Sequence, residues 1–138
     1  MYRTIVVPLD GSDLSERAIP FGRTLATAGR AGLVLMRVVT PTDFLDAREP
    51  AERDKALNDA NAYVAGFVVP SEGDSKVEAL AYAGDAARMI VDECRARPGS
   101  LIVMSTRGRS GVGELVYGGV TAEVIRRSER PVLVIPPR

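Results

Sequence analysis

Five short apolar segments alternate along the chain with segments of helical periodicity. The apolar segments are rich in β-branched residues and are Thr4–Leu9, Leu33–Val39, Lys76–Tyr82, Leu101–Ser105 and Val132–Ile135. Four of them are nearly continuous apolar runs, which are typical of parallel strands that are covered on both faces. Lys76–Tyr82 mixes charged with apolar residues, so it is predicted to be an edge strand.

Between these strands, apolar residues recur at intervals of three and four, which predicts four amphipathic helices. Their apolar stripes are Leu14, Ala18, Phe21, Leu25 and Ala28; Leu57, Ala60, Val64 and Phe67; Ala87, Ile90, Val91 and Cys94; and Val116, Val120 and Val124. Ser12 or Asp13 can cap the first helix, and Asp85 can cap the third. Pro41–Pro50 has little pattern and is predicted to be a loop, either a variable connection or a lid over a site.

The alternation of strands and helices predicts an α/β protein with a doubly wound parallel sheet, because right-handed crossovers place helices on both faces. A length of 138 residues fits a single domain over residues 1–138. The chain starts directly with a strand, and neither a signal peptide nor a long apolar span is visible, so the cytoplasm is the expected location.

Composition excludes several classes of function. Acidic and basic residues balance at 18 each, which argues against nucleic-acid or membrane binding driven by net charge. There is no His, and Cys94 is the single Cys, so His-based triads, most metal sites and internal disulfides are excluded. Cys94 falls on the apolar face of a predicted helix and is interpreted as a core thiol.

Two strand ends carry residues suited to a ligand. Pro8–Ser12 follows the first strand, and the long Ser105–Gly113 segment, rich in Gly and hydroxyl residues, follows the fourth. Glycine lets a backbone approach an anion closely, and a helix N-terminus adds positive potential. Thr106, Ser110 and Thr121 can donate hydroxyl hydrogens, although glycines in such loops also serve turn geometry alone. Asp10 can accept from a ribose or an adenine amino group, or it can cap the first helix.

Taken together, these segments resemble the universal stress protein family (the UspA domain) over nearly the whole chain. The segments that carry the resemblance are Ile5–Ser12, Val34–Val39, Gly84–Ala86, Leu101–Met104, Gly118–Thr121 and Arg130–Pro136. The resemblance implies a five-stranded parallel sheet of order 3-2-1-4-5, with helices on both faces and an adenine nucleotide α-hydrolase-like fold.

ATP-binding members of that family carry Gly, two residues, Gly, nine residues, then Gly followed by Ser or Thr. On this chain the four positions are Ser105, Gly108, Gly118 and Gly119. Two of them depart from the pattern. Ser105 adds a Cβ where the family's Gly passes close to the nucleotide, and Gly119 removes a hydroxyl that would donate to phosphate.

The resemblance implies a role for each matching position. Asp10 would bind the ribose or adenine side, the backbone of Val38 would meet the adenine edge, and Pro8 and Met104 would pack around base and sugar. The phosphates would be surrounded by Gly108, Arg109, Gly118, Gly119, Val120 and Thr121, with Ser105 at the family's first Gly. The implied cofactor is ATP or another adenine nucleotide, optionally with Mg²⁺; some family members bind none.

The leading hypothesis is therefore a regulatory protein that binds an adenine nucleotide and changes its contacts with an unknown partner. At most slow ATP hydrolysis is expected, because the chain has no His and no Gly-Lys-Ser/Thr motif. The alternative is a nucleotide-free dimeric interaction module with a degenerate site. An enzyme of the wider α-hydrolase group would show a Ser-Gly-Gly-x-Asp-Ser type loop, which Asp10–Asp13 does not match.

Self-association is expected through the last strand, Val132–Ile135. It is apolar and comes last in the implied sheet order, and an uncovered apolar edge invites pairing with a second copy. Family members dimerise similarly, so the sequence predicts a homodimer without nucleic acid or membrane partners.

Overall fold

The computed structural model describes residues 1–41, 50–69, 76–106 and 119–137. Its five strands form one parallel sheet in the order β3-β2-β1-β4-β5. In chain order the elements are β1 (Thr4–Leu9), α1 (Asp13–Glu16), α2 (Ala18–Gly29), β2 (Gly32–Val39), α3 (Pro50–Ala65), β3 (Val77–Ala83), α4 (Ala86–Arg95), β4 (Ser100–Ser105), α5 (Val120–Arg127) and β5 (Val132–Ile135). The predicted fold and strand order are confirmed, and no predicted strand boundary is wrong by more than one residue.

Two apolar clusters lie on opposite faces of the sheet, as a doubly wound arrangement requires. On one face, Ile5, Val7 and Leu9 of β1 pack with residues of α2 and α3. On the other face, Val6 of β1 packs with residues of α4 and α5. The alternation of successive side chains along a strand produces this division. Cys94 belongs to the second cluster and is buried, which confirms its interpretation as a core thiol.

The first predicted helix is divided into α1 and α2. Pro20 explains the break, because it has no N–H to donate and its ring clashes with the carbonyl four residues earlier, that of Glu16. The predicted apolar stripe of this helix is also wrong at Phe21, which is 48% exposed. The buried face of α2 contains small residues as well as Ile19, namely Ala18, Gly22 and Ala26.

Gly22 brings α2 close to the sheet. A Cβ at this position would lie 2.5 Å from Cγ2 of Val7 in β1, well inside van der Waals contact. The sequence pattern missed this residue because glycine does not register as apolar in a helical stripe. At this point of the core, the backbone of α2 therefore packs directly against the Val7 side chain of β1.

The other three predicted helices are present where the structure describes them, but the last predicted apolar stripe is wrong at Val120, which is 41% exposed. Ala60 and Val64 are the buried residues of α3, and the buried residues of α4 are the four predicted ones, Ala87, Ile90, Val91 and Cys94. Asp85 caps α4, since its carboxylate accepts the N–H of Arg88 at 3.0 Å. Val116 and residues 42–49 of the predicted loop lie outside the described residues.

The neighbours β1 and β4 are paired along only part of their length. β1 pairs with β2 from Thr4 to Leu9, whereas its described pairing with β4 covers Thr4–Val6 against Ser100–Ile102. The carboxyl halves of these two strands are therefore not joined by this ladder, and Pro8 has no N–H to contribute there. This is the point where the chain's order along the sheet reverses, which is where ligands bind in open α/β sheets.

None of the described helices is both long and apolar enough to cross a bilayer.

Candidate functional site

The turn after β1 is organised by Asp10. Its Oδ1 accepts both the backbone N–H of Ser12, at 2.9 Å, and the Ser12 hydroxyl. Ser12 is in turn the N-cap of α1, and its Oγ accepts the N–H of Ser15 at 3.1 Å. Of the capping alternatives for the first helix, Ser12 is thus the cap, and Asp10 holds it in place. The Asp10 carboxylate lies at the carboxyl end of the central strand.

Arg37 lies beneath this turn and was not predicted to be part of the site. Gly11 has a φ of +87°, a conformation that side chains rarely adopt, and a Cβ there would lie 3.7 Å from the guanidinium carbon of Arg37. Arg37 is the one charged residue in β2, where it is partly buried. A charge inside an otherwise apolar strand was the sequence signal that could have revealed it.

Tyr63 of α3 connects that helix to the turn. Its hydroxyl donates to Oε1 of Glu16 at 3.1 Å. Burial is the largest of the effects that raise the pKa of Tyr63 to about 12. The hydrogen bond to Glu16 and the nearby Asp10 carboxylate also raise this pKa, whereas the positive charge of Arg37 lowers it. The tyrosine therefore stays neutral and keeps its hydrogen to donate. Asp10, Glu16, Arg37 and Tyr63 form one polar group around the end of β1.

The start of α5 is fixed to the end of β4. The Thr121 hydroxyl donates to the backbone carbonyl of Ser105 at 3.1 Å. The N-cap of α5 is Gly119, whose φ is +111° and which provides no side-chain cap. The first N–H groups of a helix have no partner within the helix, so those at the start of α5 can bind an anion.

Two hydroxyls at the end of β4 lack partners. Oγ of Ser105 and Oγ1 of Thr106 are buried, and neither makes a hydrogen bond in the described part of the chain. Thr106 was noted from the sequence as a hydroxyl donor but did not match a position of the family motif. Unpaired buried hydroxyls are uncommon, because burial removes the water that would otherwise satisfy them.

The universal stress protein family model matches residues 1–136, nearly the whole chain. The chain belongs to the universal stress protein family. Among its relatives, a universal stress protein of Synechocystis is 31% identical over 136 residues, covering 99% of this chain and 87% of that protein. One from Thermus aquaticus is 29% identical over 136 residues, covering 98% and 99% of the two chains.

Solved structures of the family share the fold. A universal stress protein solved in complex with cAMP is 27% identical, has a TM-score of 0.66, and is matched over 98% of this chain and 97% of that one. The adenine nucleotide α-hydrolase-like fold expected from the sequence is thereby confirmed. The cAMP was bound by that protein.

The family's motif positions are partly described in this universal stress protein. Ser105 and Gly119 lie close together, because Thr121, two residues after Gly119, bonds to the Ser105 carbonyl. Val120 lies beside them as the first residue of α5. The predicted site residues Gly108, Arg109 and Gly118 lie outside the described residues.

The three apolar residues predicted to surround base and sugar are buried. Val38 and Met104 belong to the cluster on the α4 and α5 face, and Pro8 is buried in β1. The next residue beyond the end of β1 is Asp10, and β1 lies between the strands that carry Val38 and Met104. Because the Val38 side chain is buried, any ligand contact from this residue would come from its backbone.

Proposed function

We propose that this universal stress protein is a regulatory protein that binds an adenine nucleotide at the carboxyl ends of β1 and β4. The observation that carries the proposal is the start of α5, whose N-cap Gly119 offers no side chain and which is fixed to the end of β4 by the bond from Thr121 to Ser105. The first N–H groups of a helix have no partner within the helix and suit the phosphates, and Asp10 suits the nucleoside side. The family relative that binds cAMP supports the same ligand class.

These residues are better suited to binding a nucleotide than to hydrolysing it rapidly. Rapid phosphoryl transfer needs a positioned base, metal ligands and several groups that stabilise charge. The chain contains no His and no Gly-Lys-Ser/Thr motif. We therefore propose at most slow hydrolysis, with Mg²⁺ entering only as a companion of the nucleotide phosphates.

Calorimetric titration of nucleotide-stripped protein tests this proposal. We expect ATP, AMP or cyclic AMP to release or absorb heat on binding and to raise the midpoint of thermal unfolding, because a ligand of the native state stabilises it. If millimolar concentrations of all three ligands give neither heat nor protection, nucleotide binding is rejected.

A pair of charge variants locates the site. Val120 is the first residue of α5 and is 41% exposed, so Val120→Asp places a carboxylate where the phosphates would bind. Ile125 is 51% exposed in the same helix, and Ile125→Asp makes the same charge change near its other end. We expect only Val120→Asp to weaken nucleotide binding, by about tenfold, while a carboxylate at a helix N-terminus preserves stability. Equal weakening by both variants would contradict the site.

A nucleotide-free interaction module is the second candidate, and two internal hydrogen bonds favour it. The Asp10 carboxylate already accepts two hydrogens from Ser12, and the Thr121 hydroxyl already donates to Ser105. Native mass spectrometry of gently purified protein separates the candidates. Co-purified nucleotide contradicts the interaction module, whereas protein that stays free of nucleotide and also fails the titration supports it.

We also propose a homodimer that forms through β5. This strand is at one edge of the sheet, and its residue Leu133 is 40% exposed. An apolar parallel edge favours pairing with a second copy. Light scattering at micromolar concentration should give a dimer mass that Val134→Lys reduces to that of a monomer. Val69→Lys, on an exposed residue after α3, is the matched control and should leave the mass unchanged.

A further inference from the structure

Arg37 carries a charge inside an otherwise apolar strand. The other residues of β2 are glycine or apolar, and Arg37 is partly buried among them. Moving a charge out of water costs free energy unless nearby groups compensate for it. The position of Arg37 therefore calls for a role that an apolar side chain in the same place could not perform.

The sheet determines on which face the Arg37 side chain lies. Arg37 is paired with Leu9, the last residue of β1. The residues that follow this pair along the chain are Asp10 and Val38. Leu35, two residues before Arg37, packs on the face covered by α2 and α3. Side chains alternate along a strand, so Arg37 lies on that face, whereas Val38 packs on the opposite one.

The guanidinium of Arg37 lies against the turn that follows β1. A Cβ on Gly11 would be 3.7 Å from Cζ, 3.7 Å from Nη2 and 4.0 Å from Nη1 of Arg37. Because these three atoms are almost equally far from one point, the flat face of the guanidinium is turned toward Gly11. Gly11 lies between Asp10 and Ser12, whose hydrogen bonds shape this turn. Arg37 thus reaches from β2 across the end of β1 and supports the Asp10 turn.

Carboxylates and a tyrosine hydroxyl share this end of β1 with the guanidinium. The Tyr63 hydroxyl donates to Glu16 at 3.1 Å. Burial is the main cause of the raised pKa of Tyr63; Asp10 also raises this pKa and Arg37 lowers it, so both of these charges lie near the hydroxyl. A positive charge near two carboxylates favours their ionised form, in which a carboxylate only accepts hydrogen bonds.

We propose that Arg37 is a positioning residue for the nucleoside half of the bound nucleotide, because it holds the Asp10 turn so that the carboxylate accepts hydrogen bonds from the ribose hydroxyls. This inference rests on the proposed nucleotide binding and adds to it the residue on which recognition of the ribose depends. Arg37 acts through Asp10 and not through a ligand contact of its own. A nucleotide without ribose hydroxyls should therefore gain nothing from Arg37.

Comparison of ATP with dideoxy-ATP tests the inference, because the two ligands share base and phosphates and differ only in the ribose hydroxyls. We expect the wild type to bind ATP about tenfold more tightly, the scale of hydrogen bonds to a charged group. Arg37→Met keeps the aliphatic stem without the guanidinium, and it should abolish this preference, mostly by weakening ATP binding. Arg37→Gln should do the same even if Arg37→Met does not fold, whereas Arg37→Lys retains the charge and should keep part of the preference.

Arg3→Met is the matched control, and it should leave the preference for ATP unchanged. Arg3 also lies beside a glycine of positive φ, Gly99, but at the opposite end of the sheet, and its aliphatic stem makes that approach. A wild-type preference in both neutral Arg37 variants would overturn the inference. An equal loss of affinity for the two ligands would overturn it as well, since that result indicates a structural role alone.

The wild type separates failure of this inference from failure of the proposed function. Equal affinity for ATP and dideoxy-ATP would overturn the role of Arg37 while nucleotide binding stands. If the wild type binds neither ligand, the proposed function fails and this inference fails with it.

Discussion

The hydroxyl of Thr121 and the carbonyl of Ser105 are joined by a hydrogen bond of 3.1 Å that spans 16 residues of sequence. It connects the first turn of α5 to the last residue of β4. Gly119 contributes no side-chain cap, so among the described residues this bond holds the start of α5 in place.

Removal of that bond should weaken both stability and binding. Thr121→Val keeps the branched shape but loses the hydroxyl, and we expect a decrease of about 1 kcal/mol in the free energy of unfolding, measured in urea. Nucleotide affinity should also decrease, because the start of α5 is less firmly held. Thr121→Ser retains the hydroxyl and should restore most of both properties. Wild-type affinity and stability in Thr121→Val would show that other contacts position α5.

Gly22 should tolerate no larger residue, although alanine favours helices. Gly22→Ala would place a Cβ 2.5 Å from Val7, and we expect overpacking to lower the free energy of unfolding by about 1–3 kcal/mol. Gly29→Ala is the matched control in the same helix, because a Cβ there meets nothing within 4 Å. The control should be neutral or gain up to about 1 kcal/mol from helix propensity. Similar effects of both variants would refute the close approach of α2 to β1.

The ion pair between Glu78 and Arg97 predicts a dependence of stability on pH. Arg97 donates to Glu78 at 2.8 Å and to Glu93 at 2.8 Å, and the bond from Arg97 lowers the pKa of Glu78 below its ordinary value of 4.5. Because the folded-state pKa is the lower one, Glu78 stabilises the fold above pH 4.5, and this contribution is lost as the pH falls through the folded-state pKa.

Urea unfolding of Glu78→Gln at two pH values measures this contribution. Wild type should exceed the variant by up to about 1 kcal/mol at neutral pH, since both side chains are partly exposed and solvent screens the pair. The difference should shrink as the pH falls below 4.5 through the folded-state pKa of Glu78. Glu129→Gln removes a carboxylate whose pair with Arg95, at 3.8 Å, is well exposed to solvent, and so controls for the loss of an exposed acidic charge. A difference that does not change with pH would exclude the pair as its source.

Cys94 should be nearly unreactive in the native protein. Burial raises the pKa of its thiol from 9.0 to about 11, so the thiolate population is lower by about a hundredfold, and the residue is inaccessible as well. A chromogenic disulfide reagent should label it slowly at pH 8 and rapidly in urea. Fast labelling without denaturant would contradict the buried position.

The strands could be predicted from sequence because their apolar runs are short, separate and rich in β-branched residues. β1 and β5 have the predicted boundaries, and the sheet order agrees with the family resemblance. Helices α4 and α5 could also be predicted from sequence, because the stripe from Ala87 to Cys94 and the buried Val124 follow helical periodicity. Asp10 was recognisable as a candidate site residue because a carboxylate directly follows a buried strand.

The features of the fold and of the candidate site that sequence did not predict depend on contacts between distant segments. Phe21 belongs to an apolar stripe in sequence, but Pro20 divides the helix and the buried face rotates toward Gly22. Arg37 contacts the turn at Gly11 only once β1 and β2 are side by side. That the Thr106 hydroxyl has no hydrogen-bond partner among the described residues could not be predicted from sequence, since it depends on which groups the fold brings near it.

The most direct test of nucleotide binding is a titration of ¹⁵N-labelled, nucleotide-stripped protein with ATP, followed by amide chemical shifts. We predict saturable shifts at Asp10, Thr106, Val120 and Thr121, at the carboxyl ends of β1 and β4. Amides of Gly32 and Ser100, at the opposite end of the sheet, should not move. An unchanged spectrum at millimolar ATP, or shifts confined to that opposite end, would contradict it.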